Sequence, residues 1–235
     1  MKKILFMMVM FSFLVYAQRD DKYFDAPFGG GGGYLGGWIM PDMGALNSQL
    51  KLTGYPELST SGIYTSGGGG FAYIGVLPYL RIGGMGFAGS TSEKIDVGNA
   101  GSNEAIYSIG GGGVTIEYTM PFIKKVGVSL GAIIGGGGFT IDLYKNRGEV
   151  NWNDLQNSSM NKLTLDNSYW FFTPTLNFDI PVYRFINFRA GISYQLPFAE
   201  DWEVDDGVEL RNAPSDVNGK ALYIQAGLYI GLFSF

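Results

Sequence analysis

The residue types that most often carry out chemistry in proteins are scarce in this chain of 235 residues, which contains no His and no Cys. The chain therefore has no imidazole general base, no thiolate nucleophile and no disulfide, and it lacks the usual ligands of zinc, haem and iron–sulfur sites. A Ser/Lys or carboxylate-only site is still chemically possible, but no motif in the sequence supports one. We expect no enzymatic activity, no cofactor and no metal.

Four charged residues lie on the polar faces of segments in which polar and apolar residues alternate. They are Arg81, Glu117, Asp179 and Arg189. One interpretation is a constriction or gate for small ions. The other is a structural network in which the four charges pair with one another, because an unpaired buried charge is costly. A narrow interior favours the network.

Glycine is the other unusual feature: 37 of the 235 residues are Gly, which is more than twice the share of about 7% in an average chain. Runs occur at Gly29–Gly33, Gly67–Gly70, Gly110–Gly113 and Gly135–Gly138. They predict either a wall without side chains, against which a plug or ligand could lie, or simply the freedom to curve a narrow barrel. An apparent change of odd/even phase at the last run predicts a β-bulge there. The wall would consist of Gly69, Gly70, Gly83, Gly84, Gly86, Gly111, Gly113, Gly135 and Gly137.

One segment, Pro41–Leu52, has the pattern of a short helix. Asp42 could act as its N-cap, and Met43, Leu46 and Leu50 follow at helical spacing. These apolar side chains predict a helix that plugs or caps an opening. The alternative is a loop helix that packs locally over its neighbours.

The elements that position these residues begin with a targeting segment. Lys2 and Lys3 precede the uncharged run Ile4–Tyr16, and a small residue follows at Ala17. This pattern predicts a signal peptide at residues 1–17 and a single domain at 18–235. The formal net charge of −5 argues against a nucleic-acid partner, since phosphate contacts need clustered Lys and Arg.

The rest of the chain has no run of eighteen apolar residues, so it offers no transmembrane helix. Instead it alternates with a period of two, and the even positions are apolar in Tyr169–Val182 and Ile186–Phe198. The stretch from Ala221 to Phe235 also alternates, but its odd face is less polar than in the other two, so the face that meets lipid is left open there. Short Pro-containing turns alternate with long polar connections. This pattern predicts a closed antiparallel up-and-down transmembrane β-barrel of about eight strands, with a short helix in the first long loop. The strands are expected near 28–38, 69–77, 79–89, 106–120, 126–143, 168–181, 185–198 and 221–235. A ten-stranded variant would add a hairpin around Gly62 to Ser66.

The chain resembles the bacterial outer-membrane β-barrel superfamily, especially its small eight-stranded members. A signal peptide, alternating strands, unequal connections and a last strand ending in Leu232-Phe233-Ser234-Phe235 carry the resemblance. It implies location in the bacterial outer membrane, contact with outer-membrane lipid, and recognition of Phe235 by the barrel-assembly machinery.

Three classes of function are compatible with that architecture. The first is a non-enzymatic barrel with a structural, adhesive or envelope-stabilising role, whose extracellular loops contact lipid headgroups, an extracellular or envelope protein, or another copy. The second is a barrel that binds or transports a small solute or hydrophobic ligand. The third is an outer-membrane lipid-modifying enzyme. It is disfavoured because the enzymes among similar outer-membrane barrels generally depend on His, which this chain lacks.

Overall fold

The computed structural model describes residues 28–98, 101–121, 123, 126–146, 161–183, 185–205 and 207–234. The predicted signal peptide and Phe235 lie outside the described residues. The elements are β1 (Phe28–Pro41), α1 (Gly44–Leu52), β2 (Ile63–Tyr73), β3 (Leu80–Asp96), β4 (Ser102–Thr119), β5 (Gly127–Asn146), β6 (Asn161–Tyr183), β7 (Ile186–Val204), β8 (Val208–Glu209) and β9 (Ala221–Ser234).

Eight long strands form a closed antiparallel ring. Each pairs with the next along the chain, β7 pairs directly with β9, and β1 closes the ring against β9. The two-residue β8 pairs only with β7. The predicted all-β, up-and-down barrel of eight strands with a helix in the first long loop is confirmed. Residues 63–66 begin β2 rather than forming an extra hairpin, so the ten-stranded variant is wrong.

Several predicted strand boundaries are also wrong. The second strand covers Ile63–Tyr73 rather than 69–77, β6 begins at Asn161 rather than near 168, and β7 extends to Val204 rather than to about 198. The connection expected between the strands near 79–89 and 106–120 is mostly strand, because β3 continues to Asp96 and β4 begins at Ser102. Polar outward positions there resemble a loop in the sequence, yet inward residues such as Ala105 and Tyr107 remain buried and hold the strands together.

Strand alternation places one apolar set of side chains on the outside of the barrel. The even positions of β6, the first part of β7, and β9 face outward; Trp170, Ile224 and Ile230 are examples, with exposed fractions of 58%, 47% and 71%. The odd positions of β9, including Gln225 and Tyr229, are buried inside. The described residues contain no helix that is long and apolar enough to cross a membrane.

The bulge expected at Gly135–Gly138 is absent, since β5 pairs in unbroken register with β4 and β6 through this run. Odd positions of β5 face inward throughout, and the lumen itself changes from polar around Ser129 to apolar around Phe139. Two register shifts lie instead between β6 and β7, one between Pro181 and Tyr183 and one between Ser168 and Trp170, opposite Ala199, which has φ 54°. Beyond the shift at Ala199, Trp202 packs against Phe139 with ring centroids 5.4 Å apart.

Candidate functional site

The four predicted charges meet inside the barrel. Arg81 Nε lies 2.5 Å from Glu117 Oε2, and Arg81 Nη1 lies 2.6 Å from Asp179 Oδ2. Arg189 completes the set by pairing with Glu117 and, at 3.5 Å, with Asp179. The four side chains are at most 5% exposed. Each charge therefore touches both charges of opposite sign, and we call these four residues the charge ring.

Strand register builds the charge ring from two cross-strand pairs. Arg81 on β3 is the direct partner of Glu117 on β4, and Asp179 on β6 is the direct partner of Arg189 on β7. Strand β5 separates the two pairs in the sheet. Closure of the barrel brings their inward side chains together across the lumen. The ring therefore depends on the whole fold and not on local sequence.

Neutral polar residues that sequence reasoning did not single out add hydrogen bonds to the charge ring. Arg81 Nη2 donates to Ser129 Oγ at 2.6 Å, Asn177 Nδ2 donates to Glu117 Oε1 at 3.0 Å, and Asn187 Nδ2 donates to Asp179 Oδ1 at 2.9 Å. These residues occupy inward positions of β5, β6 and β7. Their signal in the sequence was a polar residue at an inward position of a strand.

An aromatic side chain covers both guanidinium groups. The ring centroid of Phe71 lies 4.1 Å from Arg81 Cζ and 5.2 Å from Arg189 Cζ. The Tyr229 ring lies 5.8 Å from that of Phe71, centroid to centroid. Stacked guanidinium and aromatic groups attract each other most strongly where water is excluded. The charge ring is thus packed on its faces as well as paired at its edges.

The end of the lumen beneath α1 is an apolar core that this helix covers. The predicted plug residues Met43, Leu46 and Leu50 are all buried, and they belong to one hydrophobic cluster with barrel residues such as Tyr107 and Phe139. The N-cap is Met43 rather than Asp42. Asp42 contributes differently, because its Oδ1 accepts a hydrogen bond from Gly44 N at 3.2 Å.

A side-chain clamp fixes the segment after α1. Asn47 Nδ2 donates to Leu58 O, and Leu58 N donates to Asn47 Oδ1, both at 2.8 Å. Leu58 is itself buried in the apolar core. These two bonds satisfy both the donor and the acceptor of the buried Asn47 side-chain amide. They also hold the loop over the barrel opening.

The nine glycines of the predicted wall do not share one face. Strand alternation turns six inward, namely Gly69, Gly83, Gly111, Gly113, Gly135 and Gly137. It turns Gly70, Gly84 and Gly86 outward, on the face of the exposed Ile82. The single wall is therefore wrong for these three. The physical reason is that consecutive residues of a strand point to opposite faces, so a run of four glycines supplies both.

The inward glycines make room for the chain's own side chains and backbone. A Cβ at Gly111 would lie 3.1 Å from Phe171 Cε1, and one at Gly69 would lie 2.8 Å from Tyr229 Oη. A Cβ at Gly135 would overlap the carbonyl oxygen of Gly112. The space that these glycines leave is therefore already occupied by aromatic rings and by neighbouring strands.

Within the described ranges of the chain, two cavities lie in the middle of the lumen, each with a free volume of about 10 Å³, which is about the space of one water molecule. One lies beside the charge ring, and the other lies next to Phe87, Phe171 and Tyr223. Within the same ranges, no three acidic side chains gather as a metal site would require.

No protein-family model and no curated protein matches the sequence. Solved structures do. A major outer membrane protein of Thermus thermophilus aligns with a TM-score of 0.52 at 10% identity, over 88% of this chain and 100% of that one. Ail, the attachment invasion locus protein of Yersinia pestis, aligns at 0.42 and 11% over 89% and 100%. CarO of Acinetobacter baumannii aligns at 0.40 and 10% over 87% and 97%. The fold argument depends on the Thermus protein and on the closed ring of strands: this chain has the eight-stranded fold of the bacterial outer-membrane β-barrels.

Proposed function

We propose that this protein is a non-enzymatic barrel of the bacterial outer membrane whose lumen is closed and whose outer loops carry its role, which is structural, adhesive or envelope-stabilising. The observation that carries the proposal is the combination of an apolar outside with a filled inside. Neither feature alone would distinguish a membrane scaffold from a soluble carrier or a pore.

The apolar outside supports a lipid environment. Large outward side chains such as Trp170, Leu228 and Ile230 are more than half exposed. Leaving so much apolar surface in water would cost about 25 cal/mol for each Å², and soluble proteins rarely expose such extended patches. Hydrocarbon around the barrel removes this cost. A soluble carrier would need a protein partner covering most of its circumference.

The filled inside supports a role other than transport. The charge ring occupies one part of the lumen and the apolar core under α1 occupies another, and each cavity between them has room for about one water molecule. A hydrophobic ligand or a hydrated ion needs far more space than this. Neither of these two cavities therefore offers the space that the binding or transport alternative needs.

The outer loops supply a surface for partners, and acidic residues in and beside the last of these loops make that surface acidic. Glu200, Asp201 and Glu203 lie at the end of β7 next to this loop, and Glu209 lies in β8, with Arg211 and Lys220 as the nearby cations. An acidic surface favours a basic partner through electrostatic complementarity.

Recognition of Phe235 by the barrel-assembly machinery stays a prediction.

Quenching of tryptophan fluorescence by brominated lipid tests the lipid-facing assignment. A variant with Trp170 as its single tryptophan should lose most of its fluorescence in vesicles of lipids brominated along the acyl chains, because this outward ring would contact the tails. A variant that keeps only Trp202, which packs inward against Phe139, is the matched control and should be quenched weakly. Equal, weak quenching of both variants would contradict the proposal.

A further inference from the structure

Besides Arg81 Nη1 and Asp179 Oδ2, which form an ion pair, eight buried side-chain polar atoms have no hydrogen-bond partner among the described residues. Four of them belong to neighbouring residues of the lumen, namely Thr173 Oγ1, Thr175 Oγ1, Ser193 Oγ and Gln225 Oε1. Each of these side chains is at least 95% buried. A buried polar group left unpaired costs about 1–3 kcal/mol, and native proteins nearly always satisfy such groups with protein or ordered water. The four atoms together therefore indicate a missing hydrogen-bonding partner.

The four residues lie along one seam of the barrel. Thr173 and Thr175 are successive inward positions of β6, and Thr175 is the cross-strand partner of Ser193 on β7. Ser193 in turn pairs with Tyr223 on β9, two positions before Gln225 on the same inward face. The orphaned atoms are thus neighbours, as a shared ligand or a short series of ligands would require.

Both luminal cavities open onto this seam. The first, beside the charge ring, is lined by Thr175, Gln225 and Arg189, and Arg189 Nε is another atom without a partner among the residues that the structure describes. The second is lined by Thr173, Ser193 and Gln195. Each has about 10 Å³ of free volume, and a site for water needs about that space and two to four polar partners.

We propose that each cavity binds one water molecule, so that the lumen contains two ordered hydration sites. The first water bonds to Thr175 and Gln225 above the charge ring, and the second bonds to Thr173 and Ser193. Met85 and Ile133 line both cavities and stand between the two waters. A neutral ligand of this size is the class that these sites take, since neither hydrated ions nor organic solutes fit.

The two waters extend the charge ring into a longer polar column. Beyond the second cavity, Gln195 Nε2 donates to Tyr169 Oη at 3.0 Å and to Gly219 O at 2.8 Å. With both waters in place, hydrogen-bonding groups follow β6, β7 and β9 from the charge ring to the outer loop before β9. The inward glycines belong mainly to the other strands, which gives the lumen one polar side and one glycine-rich side.

The sign of a stability change tests the proposal. Thr175→Val and Thr173→Val keep the side-chain shape and remove only the hydroxyl. If each hydroxyl holds a water, each variant should unfold more readily, with an unfolding equilibrium constant about tenfold larger, equivalent to one lost hydrogen bond. If the cavities are dry, removal of an unpaired hydroxyl should leave stability unchanged or increase it, and either result would overturn the proposal. Thr65→Val is the matched control, because Thr65 Oγ1 already donates to Tyr223 Oη at 3.2 Å; it should lose stability whether or not water is bound.

A crystal structure of the unaltered protein provides the second measurement. It tests for the two waters even if either variant fails to fold. It also distinguishes a bound water from a hydroxyl group that has rotated to bond within the protein. We expect one ordered water within hydrogen-bond distance of Thr175 and Gln225, and another within reach of Thr173 and Ser193. Well-defined side chains around two cavities without solvent density would refute the two sites.

Discussion

Replacement of Arg81 by Met should lower the free energy of unfolding by about 3–5 kcal/mol, because it leaves two buried carboxylates short of a counter-charge. Glu117 and Asp179 are at most 2% exposed, and Arg189 would be the one positively charged partner left to both. Met fills the space of the Arg81 side chain as far as Nε, so the effect reports loss of the guanidinium group rather than loss of the packed stem. Urea unfolding of the barrel in lipid vesicles, followed by tryptophan fluorescence, measures it.

An exposed ion pair provides the control for Arg81→Met. Lys51 Nζ lies 3.5 Å from Glu57 Oε1, with both side chains more than half exposed, and such pairs contribute about 0–1 kcal/mol. Lys51→Met should therefore change stability little. The double variant Arg81→Met/Glu117→Gln should cost less than the sum of its single changes, since it removes one charge of each sign. An Arg81→Met variant as stable as Lys51→Met would contradict the charge ring.

Replacement of Gly135 by Val should destabilise the barrel by more than about 3 kcal/mol or prevent its folding, beyond the usual range for an overpacked core. The reason is that the inward Cβ would overlap the backbone of Gly112 on the neighbouring strand, which cannot move without breaking the β4–β5 ladder. The heat-dependent shift in gel mobility shows whether the barrel folds, and urea unfolding measures the loss.

The adjacent glycine is the matched control for Gly135→Val. A Cβ at Gly136 points outward, and its nearest neighbour is Tyr169 O at 3.9 Å. Gly136→Val should leave stability unchanged or raise it by up to about 1 kcal/mol, because Gly is the less favourable residue inside a strand. Equal losses for the two variants would show that the inward and outward faces have been assigned incorrectly.

Most strands and their facing could be predicted from the sequence because alternation is a local, period-two signal. The facing of β9 could not, because both of its faces carry apolar residues such as Tyr229 and Ile230. Alternation placed Arg81, Glu117, Asp179 and Arg189 on inward faces. It could not provide the register that makes Arg81 the partner of Glu117 and Asp179 the partner of Arg189, since register depends on pairing between distant segments. Ser129, Asn177 and Asn187 were missed for the same reason.

Two signals in the sequence were misleading. The lumen around β5 turns from polar to apolar near Gly135, and this mimics a bulge in the odd/even pattern. The register shifts lie elsewhere, between β6 and β7 near Ala199 and between Pro181 and Tyr183, and neither involves a glycine run. The glycine runs likewise indicated one wall, whereas alternation distributes them over both faces.

The most direct test of a closed lumen is the conductance of the purified protein in planar lipid bilayers. Heat-dependent gel mobility of the same sample confirms that the barrel is folded before it is added. Because the charge ring, the two water-sized cavities and the core under α1 fill the interior, we predict no discrete conductance steps at any applied voltage that the bilayer tolerates. Reproducible steps of uniform size would contradict the account.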